Sequence, residues 1–236
     1  MKDAVLITGA SRGLGRSLVN VFGKAGHLVI LNGRDTEAIT ESMVAIGQNT
    51  NWLDLGDQHC IAVLGDLREQ KTLNSLVESA ERHEVGILIN NAGIYLNQPF
   101  DEINPDELRE IIEVNLIAPM LLTQQIVPIM KRTGGGTIVN INSMAAHSPS
   151  AGESVYAASK GGLDSFSEAL NQEFAEWHIQ TISVQLGAMA TAMQILRTDL
   201  EKCINPDDAA QVIYELATAE RRSLRITEIE IKRARY

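Results

Sequence analysis

Aromatic residues and cysteines are scarce in this chain of 236 residues. Aromatic side chains make up only 4% of it, so a buried core has to be built from aliphatic residues and methionine. The only cysteines are Cys60 and Cys203. Two cysteines give no disulfide framework and no zinc-ligand spacing, and they fit thiols in a reducing compartment.

Positive charge and long apolar runs are lacking as well. The formal net charge is −10, which repels nucleic acid and anionic membranes, so we expect neither as a partner. No stretch reaches the roughly 18 consecutive apolar residues of a membrane-spanning helix. The N-terminal stretch MKDAVLITGA has no long apolar signal region. A soluble cytoplasmic protein is therefore expected.

Short apolar runs alternate with longer amphipathic segments along the whole chain. The predicted strands cover residues 4–8, 27–32, 60–66, 85–93, 134–143 and 179–186, with a last strand in the alternating run LRITEIEIK. The predicted helices are GLGRSLVNVFGKAG, DTEAITESMVAIG, residues 69–83, 105–132 and 154–177, and a segment that begins at Pro206. Within residues 105–132, Pro119 and Pro128 are expected to bend or interrupt the helix.

Strand–helix alternation of this kind predicts an α/β fold. We expect a single-domain Rossmann fold over residues 1–236, with a doubly wound parallel sheet of about seven strands and helices on both faces. In such a sheet, ligands bind beyond the carboxyl ends of the strands, near the point where the strand order reverses.

A glycine-rich loop, TGASRGLG, lies between the first predicted strand and the first predicted helix. Gly9, Gly13 and Gly15 allow a tight turn and a close approach of backbone to ligand. The helix N-terminus that follows offers N–H groups and a positive dipole to a phosphate. The spacing G-x-x-x-G-x-G at this position resembles the classical short-chain dehydrogenases/reductases.

Several further motifs support the resemblance, in the family's order over about residues 4–191. They are Asp66 in GDL, the run NNAG at 90–93, Asn115 in VNL, Ser143 at the end of the fifth strand, Tyr156 and Lys160. An isolated motif of this kind has a bland explanation, such as a surface Tyr and Lys one helical turn apart. Independent motifs in register make the resemblance specific.

The resemblance assigns four catalytic residues. It implies that Tyr156 is the general acid and base, and that Lys160 lowers the pKa of Tyr156 and hydrogen-bonds the nicotinamide ribose. It implies that Ser143 orients the substrate oxygen, and that Asn115 holds a water in a proton relay from Lys160. Because Tyr156 and Lys160 are four residues apart in a predicted helix, their side chains share one face.

The resemblance also implies a nicotinamide cofactor and no metal. The cofactor-binding residues that it implies are Gly9, Ser11, Arg12, Gly13, Leu14, Gly15, Arg34, Asp66, Leu67, Asn91, Ala92, Gly93, Tyr156, Lys160, Gly187, Met189 and Thr191. Asp66 is expected at the adenine, and Thr191 at the carboxamide or pyrophosphate.

The choice between NADP(H) and NAD(H) depends on the end of the second strand. Members of the family that prefer NAD place an acid there, whereas this chain has Gly33 followed by Arg34. Arg34 and Arg12 suit a 2′-phosphate, which favours NADP(H). Asp35 is the competing candidate for the ribose hydroxyls, and we interpret it instead as the N-cap of the following helix.

The sequence departs from the family pattern after the sixth strand. Leu186 replaces the usual proline, which predicts a looser turn over the nicotinamide. Residues 188–204 are expected to cover the substrate pocket with an apolar lid. His147 is a candidate pocket residue, although a lone His in a loop is the commoner case. The C-terminus has no glycine-rich stretch, so the family's usual subunit contacts cannot be assumed.

The resulting prediction is an NADP(H)-dependent oxidoreductase that acts on a carbonyl or secondary alcohol of a small, largely apolar substrate. The alternatives are an NAD(H)-preferring dehydrogenase and a regulatory or scaffold protein that binds the cofactor without catalysis. A nucleotide-sugar epimerase or dehydratase would need a larger C-terminal domain than the chain provides. A homodimer or homotetramer is expected, paired through the helices at about residues 105–132 and 154–177.

Overall fold

The computed structural model describes residues 4–47, 59–189, 203–219 and 224–233. The strands in these ranges are β1 (Ala4–Ile7), β2 (Val29–Gly33), β3 (Cys60–Leu64), β4 (Val85–Asn90), β5 (Gly136–Ser143), β6 (Ile179–Leu186) and β7 (Glu228–Ile231). The α-helices are α1 (Gly13–Lys24), α2 (Thr36–Gly47), α3 (Gln70–Arg82), α4 (Pro105–Ile112), α5 (Ala118–Thr133), α6 (Ser154–Glu173) and α7 (Pro206–Thr218).

The seven strands form one parallel sheet in the order β3-β2-β1-β4-β5-β6-β7. The chain winds outward from β1 in one direction to β3, and then returns to β4 and continues outward on the other side. This is the doubly wound Rossmann arrangement, and it confirms the predicted fold class. The strand order reverses between β1 and β4, so a crevice is expected at their carboxyl ends.

Helices cover both faces of the sheet, because its central strands are apolar on both sides. All four residues of β1 and all six of β4 are buried. On one face, Leu18 and Phe22 of α1 pack with Ile213 of α7 in one hydrophobic cluster. On the other face, α3, α5 and α6 contribute to a second cluster. By contrast, β7 lies at the sheet edge and alternates between exposed and half-buried residues.

The long helical region over residues 105–133 is interrupted, as predicted, but not at both prolines. A π-helical segment, Glu113–Ile117, separates α4 from α5, and Pro119 follows within the first turn of α5. Pro119 has no N–H with which to close the α-helical bond to the Asn115 carbonyl. The helix continues through Pro128. Pro105–Thr133 is long and apolar enough to cross a membrane, but half of its most apolar window is buried in the protein, as in a core helix.

The predicted boundaries agree with the structure to within a few residues. The largest differences, of four residues each, are at β7, which begins at Glu228 rather than at residue 224, and at α6, which ends at Glu173 and is followed by the 3-10 turn Ala175–Trp177, whereas a helix to residue 177 was predicted. His178 then adopts a left-handed conformation with φ of 55°, which directs the chain into β6. Pro206 lies in the first turn of α7 as predicted, and Asn205 caps that helix.

Candidate active site

A cavity of about 660 Å³ opens at the carboxyl ends of β1, β2, β4, β5 and β6, where the strand order reverses. That volume is within the usual range of cofactor and ligand sites. The residues predicted from the sequence that line it are Gly9, Ser11, Arg12, Gly13, Leu14, Gly15, Arg34, Asp66, Leu67, Asn91, Ala92, Gly93, Ser143, Tyr156, Lys160, Gly187 and Met189. Asn115 lies behind the cavity wall, and Thr191 lies outside the described residues.

The glycine-rich loop is packed so closely that side chains are excluded from it. A Cβ at Gly15 would lie 2.1 Å from the Gly9 carbonyl oxygen, and one at Gly9 would lie 2.7 Å from the Cα of Ala92. Gly9 and Gly13 also have positive φ angles of 64° and 53°. The amide of Asn91 fixes the loop by donating to the carbonyls of Thr8 and Gly9, at 2.8 and 3.0 Å.

The first turn of α1 points its N–H groups into the cavity. Its N-cap, Arg12, makes no side-chain capping hydrogen bond, so the groups of Gly13 to Gly15 are left for a ligand. Gly9 and Gly15 leave no room for a Cβ, so the backbone of this loop can approach a ligand closely. The loop also lies at the N-terminus of a twelve-residue helix, which suits an anion such as a pyrophosphate. The residues present therefore fit the phosphates of a dinucleotide.

Charged groups at the adenosine end of the cavity are paired with one another. Arg68 binds the Asp66 carboxylate through two side-chain hydrogen bonds of 3.0 and 2.8 Å, and Arg34 lies 3.5 Å from the same carboxylate. The Arg68 hydrogen bond lowers the pKa of Asp66 to about 2, against a smaller opposing effect of burial. Arg34 remains 60% exposed and reaches into the cavity.

Asp35 takes the position predicted for it. Its Oδ1 accepts a hydrogen bond of 3.1 Å from the N–H of Ala38 in the first turn of α2, as an N-cap does, and it does not line the cavity. A Cβ at Gly33 would lie 2.8 Å from Cδ1 of Ile39, so α2 packs tightly against the end of β2. The described cavity lining therefore has no acid on β2 or immediately after it.

Within the part of the chain that the structure describes, the charged groups at the catalytic end have no partner of opposite charge in contact. Lys160 is 5% exposed, and its Nζ donates a hydrogen bond of 2.8 Å to the Ile141 carbonyl. Burial lowers the pKa of Lys160 to about 8. An ammonium has three donors, so Nζ keeps further donors for a ligand. Gly93 faces this amine, since a Cβ there would lie 3.8 Å from Nζ.

Among the described residues, no hydrogen bond is recorded between Tyr156 and Lys160. The Nζ of Lys160 lies 6.0 Å from the Tyr156 ring centroid. The pKa of Tyr156 is raised, first by burial and then by the charge of Glu153, while a hydrogen bond with Ser143 lowers it. The expected lowering by Lys160 is thus absent in the protein alone, because desolvation outweighs a cation that is already engaged by a backbone carbonyl. An added positive charge at the nicotinamide position would act in the opposite direction.

Ser143 ends β5 and begins the short turn Met144–Ala146. Its Oγ accepts a hydrogen bond of 3.2 Å from the N–H of Ala145, so the hydroxyl proton is left to donate. Ser143 and Tyr156 come from β5 and α6, and both face the same end of the cavity.

Asn115 connects three segments from within the π-helical segment. Its side chain accepts from the N–H of Ile94 and donates to the carbonyl of Ile94, both at 2.9 Å. It also donates to Ser159 of α6 at 3.1 Å. Asn115 is 1% exposed, and both of its amide N–H groups and one acceptor position of its Oδ1 are used in these bonds, which leaves its backbone carbonyl as the more accessible acceptor for a water.

The turn after β6 is well held despite Leu186. The Gly187 N–H donates to the Ile231 carbonyl at 3.1 Å, and the Ile204 N–H donates to the Ala188 carbonyl at 2.9 Å. Leu186 itself is buried and pairs with Ile231 in the sheet. Most of the predicted lid, residues 190–202, lies outside the described residues.

His147 does not line the cavity. Its ring nitrogens lie 3.0 Å from Asp164 and 3.6 Å from Glu228, and the hydrogen bond with Asp164 raises the pKa of the imidazole. Asp164 also accepts from Ser183 and Gln185 of β6, each at 2.7 Å. His147 thus ties the turn after Ser143 to α6 and β7 from outside the site.

Tyr95 and Glu153 are among the lining residues that the sequence analysis missed. Tyr95 donates a hydrogen bond of 2.8 Å to Glu153, and its ring meets that of Tyr156 edge to face at 4.9 Å between centroids. Tyr95 follows the NNAG run, and Glu153 comes one helical turn before Tyr156. The only sequence signal was their nearness to those motifs, because they are 58 residues apart in the chain.

Known proteins are similar to this chain in sequence and in fold. Among curated proteins, sulfoacetaldehyde reductase 2 of Chromohalobacter salexigens is 30% identical over 233 residues, which cover 92% of this chain and 89% of that one. A metagenomic short-chain oxidoreductase solved in complex with NADP superimposes with a TM-score of 0.83 at 28% identity, over 98% of this chain and 97% of that one.

A second solved structure carries the other cofactor. It is the 3-ketoacyl-(acyl-carrier-protein) reductase from Brucella melitensis complexed with NADH, with a TM-score of 0.87 at 25% identity over 98% of this chain and 96% of that one. The family model described as short chain dehydrogenase matches residues 3–201. This chain therefore belongs to the short-chain dehydrogenase family, whose members are NAD(P)-dependent dehydrogenases and reductases.

Proposed function

We propose that the protein is an NADP(H)-dependent oxidoreductase that interconverts a carbonyl and a secondary alcohol on a small substrate. The observation that carries this proposal is the convergence of Ser143, Tyr156 and Lys160 at one end of a cavity whose other end is a glycine cradle. When bound, the cofactor supplies or accepts the hydride. The protein then has to bind, align and move a proton.

Tyr156 is the group that we assign to proton transfer. In reduction, its hydroxyl donates a proton to the substrate oxygen as the carbon gains the hydride, and in oxidation its phenolate takes that proton back. Ser143 donates its hydroxyl proton to the same oxygen and so orients it, in place of the hydrogen bond that it makes with Tyr156 in the protein alone. The raised pKa of Tyr156 keeps the phenol protonated before the cofactor binds, which suits the reductive direction.

We assign Lys160 and Asn115 to the relay that returns a proton from solvent to Tyr156. Lys160 has donors left beyond its bond to Ile141, and these suit ribose hydroxyls. The carbonyl of Asn115, which receives no α-helical bond from Pro119, suits a water that links Lys160 to solvent. Thr191, outside the described residues, keeps its assignment to the cofactor from the sequence resemblance.

The preference for NADP(H) over NAD(H) is part of the proposal. Arg12 and Arg34 line the adenosine end, while Asp35, the competing acid, is used as a helix cap. Two guanidinium groups and no acid on β2 favour a 2′-phosphate over free ribose hydroxyls. The ratio of kcat/KM for NADPH and NADH with one carbonyl substrate tests this, and a strong preference for NADH would refute it.

The remaining proposals concern the substrate's apolar part, the domain and the assembly. Ile94, Met144 and Met189 line the same cavity as Tyr156 and suit an apolar portion of a small substrate.

We propose one domain over residues 1–236 and a cytoplasmic location, in keeping with the buried Cys60 thiol. We also propose a homodimer or homotetramer through α5, where Met120 and Leu121 are each 37% exposed. Light scattering that reports a monomer would contradict the assembly.

A spectrophotometric screen of ketones and aldehydes with NADPH tests the proposed function. Wild type should consume NADPH with at least one compound. The variant Tyr156→Phe should lose roughly 10²–10⁴-fold in kcat while it still binds NADPH, because only the proton donor is removed. Equal activity of wild type and Tyr156→Phe would contradict the assignment. A wild type that binds NADPH but reduces nothing would favour the regulatory or scaffold alternative.

A further inference from the structure

We propose that Glu153 and Tyr95 form a polar subsite beside Tyr156 that selects substrates with a hydrogen-bond donor near the reacting carbon and rejects substrates with an anionic group there. The donor is a hydroxyl or an ammonium. This inference rests on the proposed function, since it names the substrate class of the same site.

The geometry brings the pair against the reacting position. Tyr95 lies in the segment after β4, and Glu153 immediately precedes α6. The Tyr95 hydroxyl donates to Oε1 of Glu153 at 2.8 Å, and the Tyr95 and Tyr156 rings meet at an interplanar angle of 84°. All three side chains line the cavity, so a substrate whose oxygen meets Tyr156 has its neighbouring atoms near this pair.

The Glu153 carboxylate keeps accepting capacity in this arrangement. Its Oε1 accepts from Tyr95, and its Oε2 accepts a hydrogen bond of 2.9 Å from the N–H of Ser150. A carboxylate has about four acceptor positions, so roughly two remain for a ligand. The hydroxyl of Tyr95 is already bonded to both Glu153 and Asn97, so the accepting capacity of the pair lies on the Glu153 carboxylate.

The charge of this end of the cavity is not neutralised by a contact. Within the described residues, Glu153 takes part in no salt bridge, and the nearby cation, Lys160, is engaged by the Ile141 carbonyl. An anionic substrate group would therefore meet an unpaired carboxylate, whereas a hydroxyl or ammonium would meet an acceptor. The anion named in sulfoacetaldehyde reductase 2 is the type of substrate that this subsite would disfavour.

A purely structural pairing is the competing explanation. The bonds of Glu153 to Tyr95 and Ser150 also hold two loops together, and that role alone would affect every substrate equally. Dependence on the substrate's charge distinguishes the two explanations. The pH profile adds a second readout, because removal of the Glu153 charge lowers the pKa of Tyr156 and shifts the profile of alcohol oxidation to lower pH.

Four secondary alcohols that differ at one group provide the test. They share the frame CH3–CH(OH)–CH2–X, with X a methyl, a hydroxyl, an ammonium or a carboxylate, namely butan-2-ol, propane-1,2-diol, 1-aminopropan-2-ol and 3-hydroxybutyrate. Each is oxidised with NADP+ by wild type, Glu153→Gln and Glu78→Gln. Glu78 is an exposed residue of α3 outside the cavity, and its variant removes an equal charge as a matched control.

For wild type we expect kcat/KM to be higher for the diol and the amino alcohol than for butan-2-ol, and lowest for 3-hydroxybutyrate. Glu153→Gln should retain the wild-type kcat/KM for the diol, since an amide oxygen still accepts a hydrogen bond. In this variant, kcat/KM should fall about tenfold for the amino alcohol and rise about tenfold for 3-hydroxybutyrate, as expected for the removal of one unit charge near the ligand. Glu78→Gln should leave all four ratios unchanged.

Two results would overturn the inference while leaving the proposed function intact. One is a wild type that prefers 3-hydroxybutyrate, and the other is a Glu153→Gln variant that changes all four values by the same factor with no shift of the pH profile. If wild type oxidises none of the four alcohols but reduces an anionic carbonyl in the wider screen, the inference also fails. If wild type reduces nothing in that screen, the proposed function fails and the inference with it.

Discussion

The two ends of the cavity have opposite effects on the stability of charged side chains. At the adenosine end, Asp66 is bound by Arg68 and lies near Arg34, and its pKa falls to about 2. At the catalytic end, Lys160 is buried without a carboxylate in contact, and its pKa falls to about 8, while the pKa of Tyr156 rises. Charged forms are stabilised at the first end and disfavoured at the second.

This difference indicates which end is complete before a ligand binds. The adenosine end has its ion pairs and its glycine cradle in place in the protein alone. The catalytic end holds a lysine and a tyrosine whose charged forms are desolvated, so a bound cofactor has to contribute part of the electrostatic balance. We therefore expect mutations at the adenosine end to act on binding, and mutations at the catalytic end to act on proton transfer and stability.

The largest effect is expected from Gly15→Ala, which fills the cradle at the adenosine end. The new Cβ would overlap the Gly9 carbonyl oxygen, which is a backbone atom and cannot move away without opening the loop. The affinity for NADPH should fall by about a thousandfold or more, measured by calorimetry alongside the melting temperature.

Gly161→Ala is the matched control for that substitution. A Cβ at Gly161, inside α6, meets only the Ala146 carbonyl at an unstrained 3.8 Å. It should bind NADPH normally and gain about 0.5–1 kcal/mol of stability, because Ala favours a helix interior over Gly. Similar NADPH affinities for the two variants would mean that the cradle is not the binding element.

The sequence predicted best what depends on local spacing. Gly9, Gly13 and Gly15 could be interpreted because a strand, a turn and a helix N-terminus follow one another within a few residues. Tyr156 and Lys160 could be placed on one helix face because residues four apart in an α-helix lie on the same side. The doubly wound parallel sheet could be predicted because strands and helices alternate along the whole chain.

Contacts between distant side chains could not be predicted in this way. Nothing in the local sequence indicates that Asn115 bonds both Ile94 and Ser159, which lie 21 and 44 residues away in the chain. The meeting of Tyr95 and Glu153 likewise depends on how two loops pack at the end of the sheet. Such contacts set the pKa values, so the sequence suggested a lysine that lowers the pKa of Tyr156, and the packed protein shows desolvation instead.

An intermediate effect is expected from Lys160→Met at the catalytic end, measured on the protein without cofactor. Below about pH 8 the amine of wild type is charged in both the folded and the unfolded chain, and folding bears the full cost of burying that charge. Between about 8 and its ordinary value of 10.5, the folded protein has lost the proton while the unfolded chain keeps it. Stability then rises with pH, since the unfolded state binds more protons.

The free energy of unfolding of wild type relative to Lys160→Met should therefore increase by about 3 kcal/mol across that window, measured by urea unfolding at a series of pH values. Subtracting the variant removes the contributions of other groups that titrate there. A difference that stays flat with pH would mean that the buried amine is stabilised by something other than its bond to the Ile141 carbonyl.

The smallest effect is expected from Arg34→Ala, which tests whether the adenosine end recognises a 2′-phosphate. Asp66 keeps both of its side-chain hydrogen bonds to Arg68 in this variant, so the end of the cavity should stay folded. Loss of one charge-assisted contact should weaken NADPH binding by about 10–100-fold. NADH has no phosphate at that position, and its affinity should change little.

Arg82→Ala is the matched control. Arg82 is an exposed residue at the end of α3, so its loss removes the same charge far from the cavity and should affect the binding of neither cofactor. An equal loss of NADPH and NADH affinity in Arg34→Ala would mean that Arg34 contacts a group common to both, and the preference for NADP(H) would then rest on Arg12 alone.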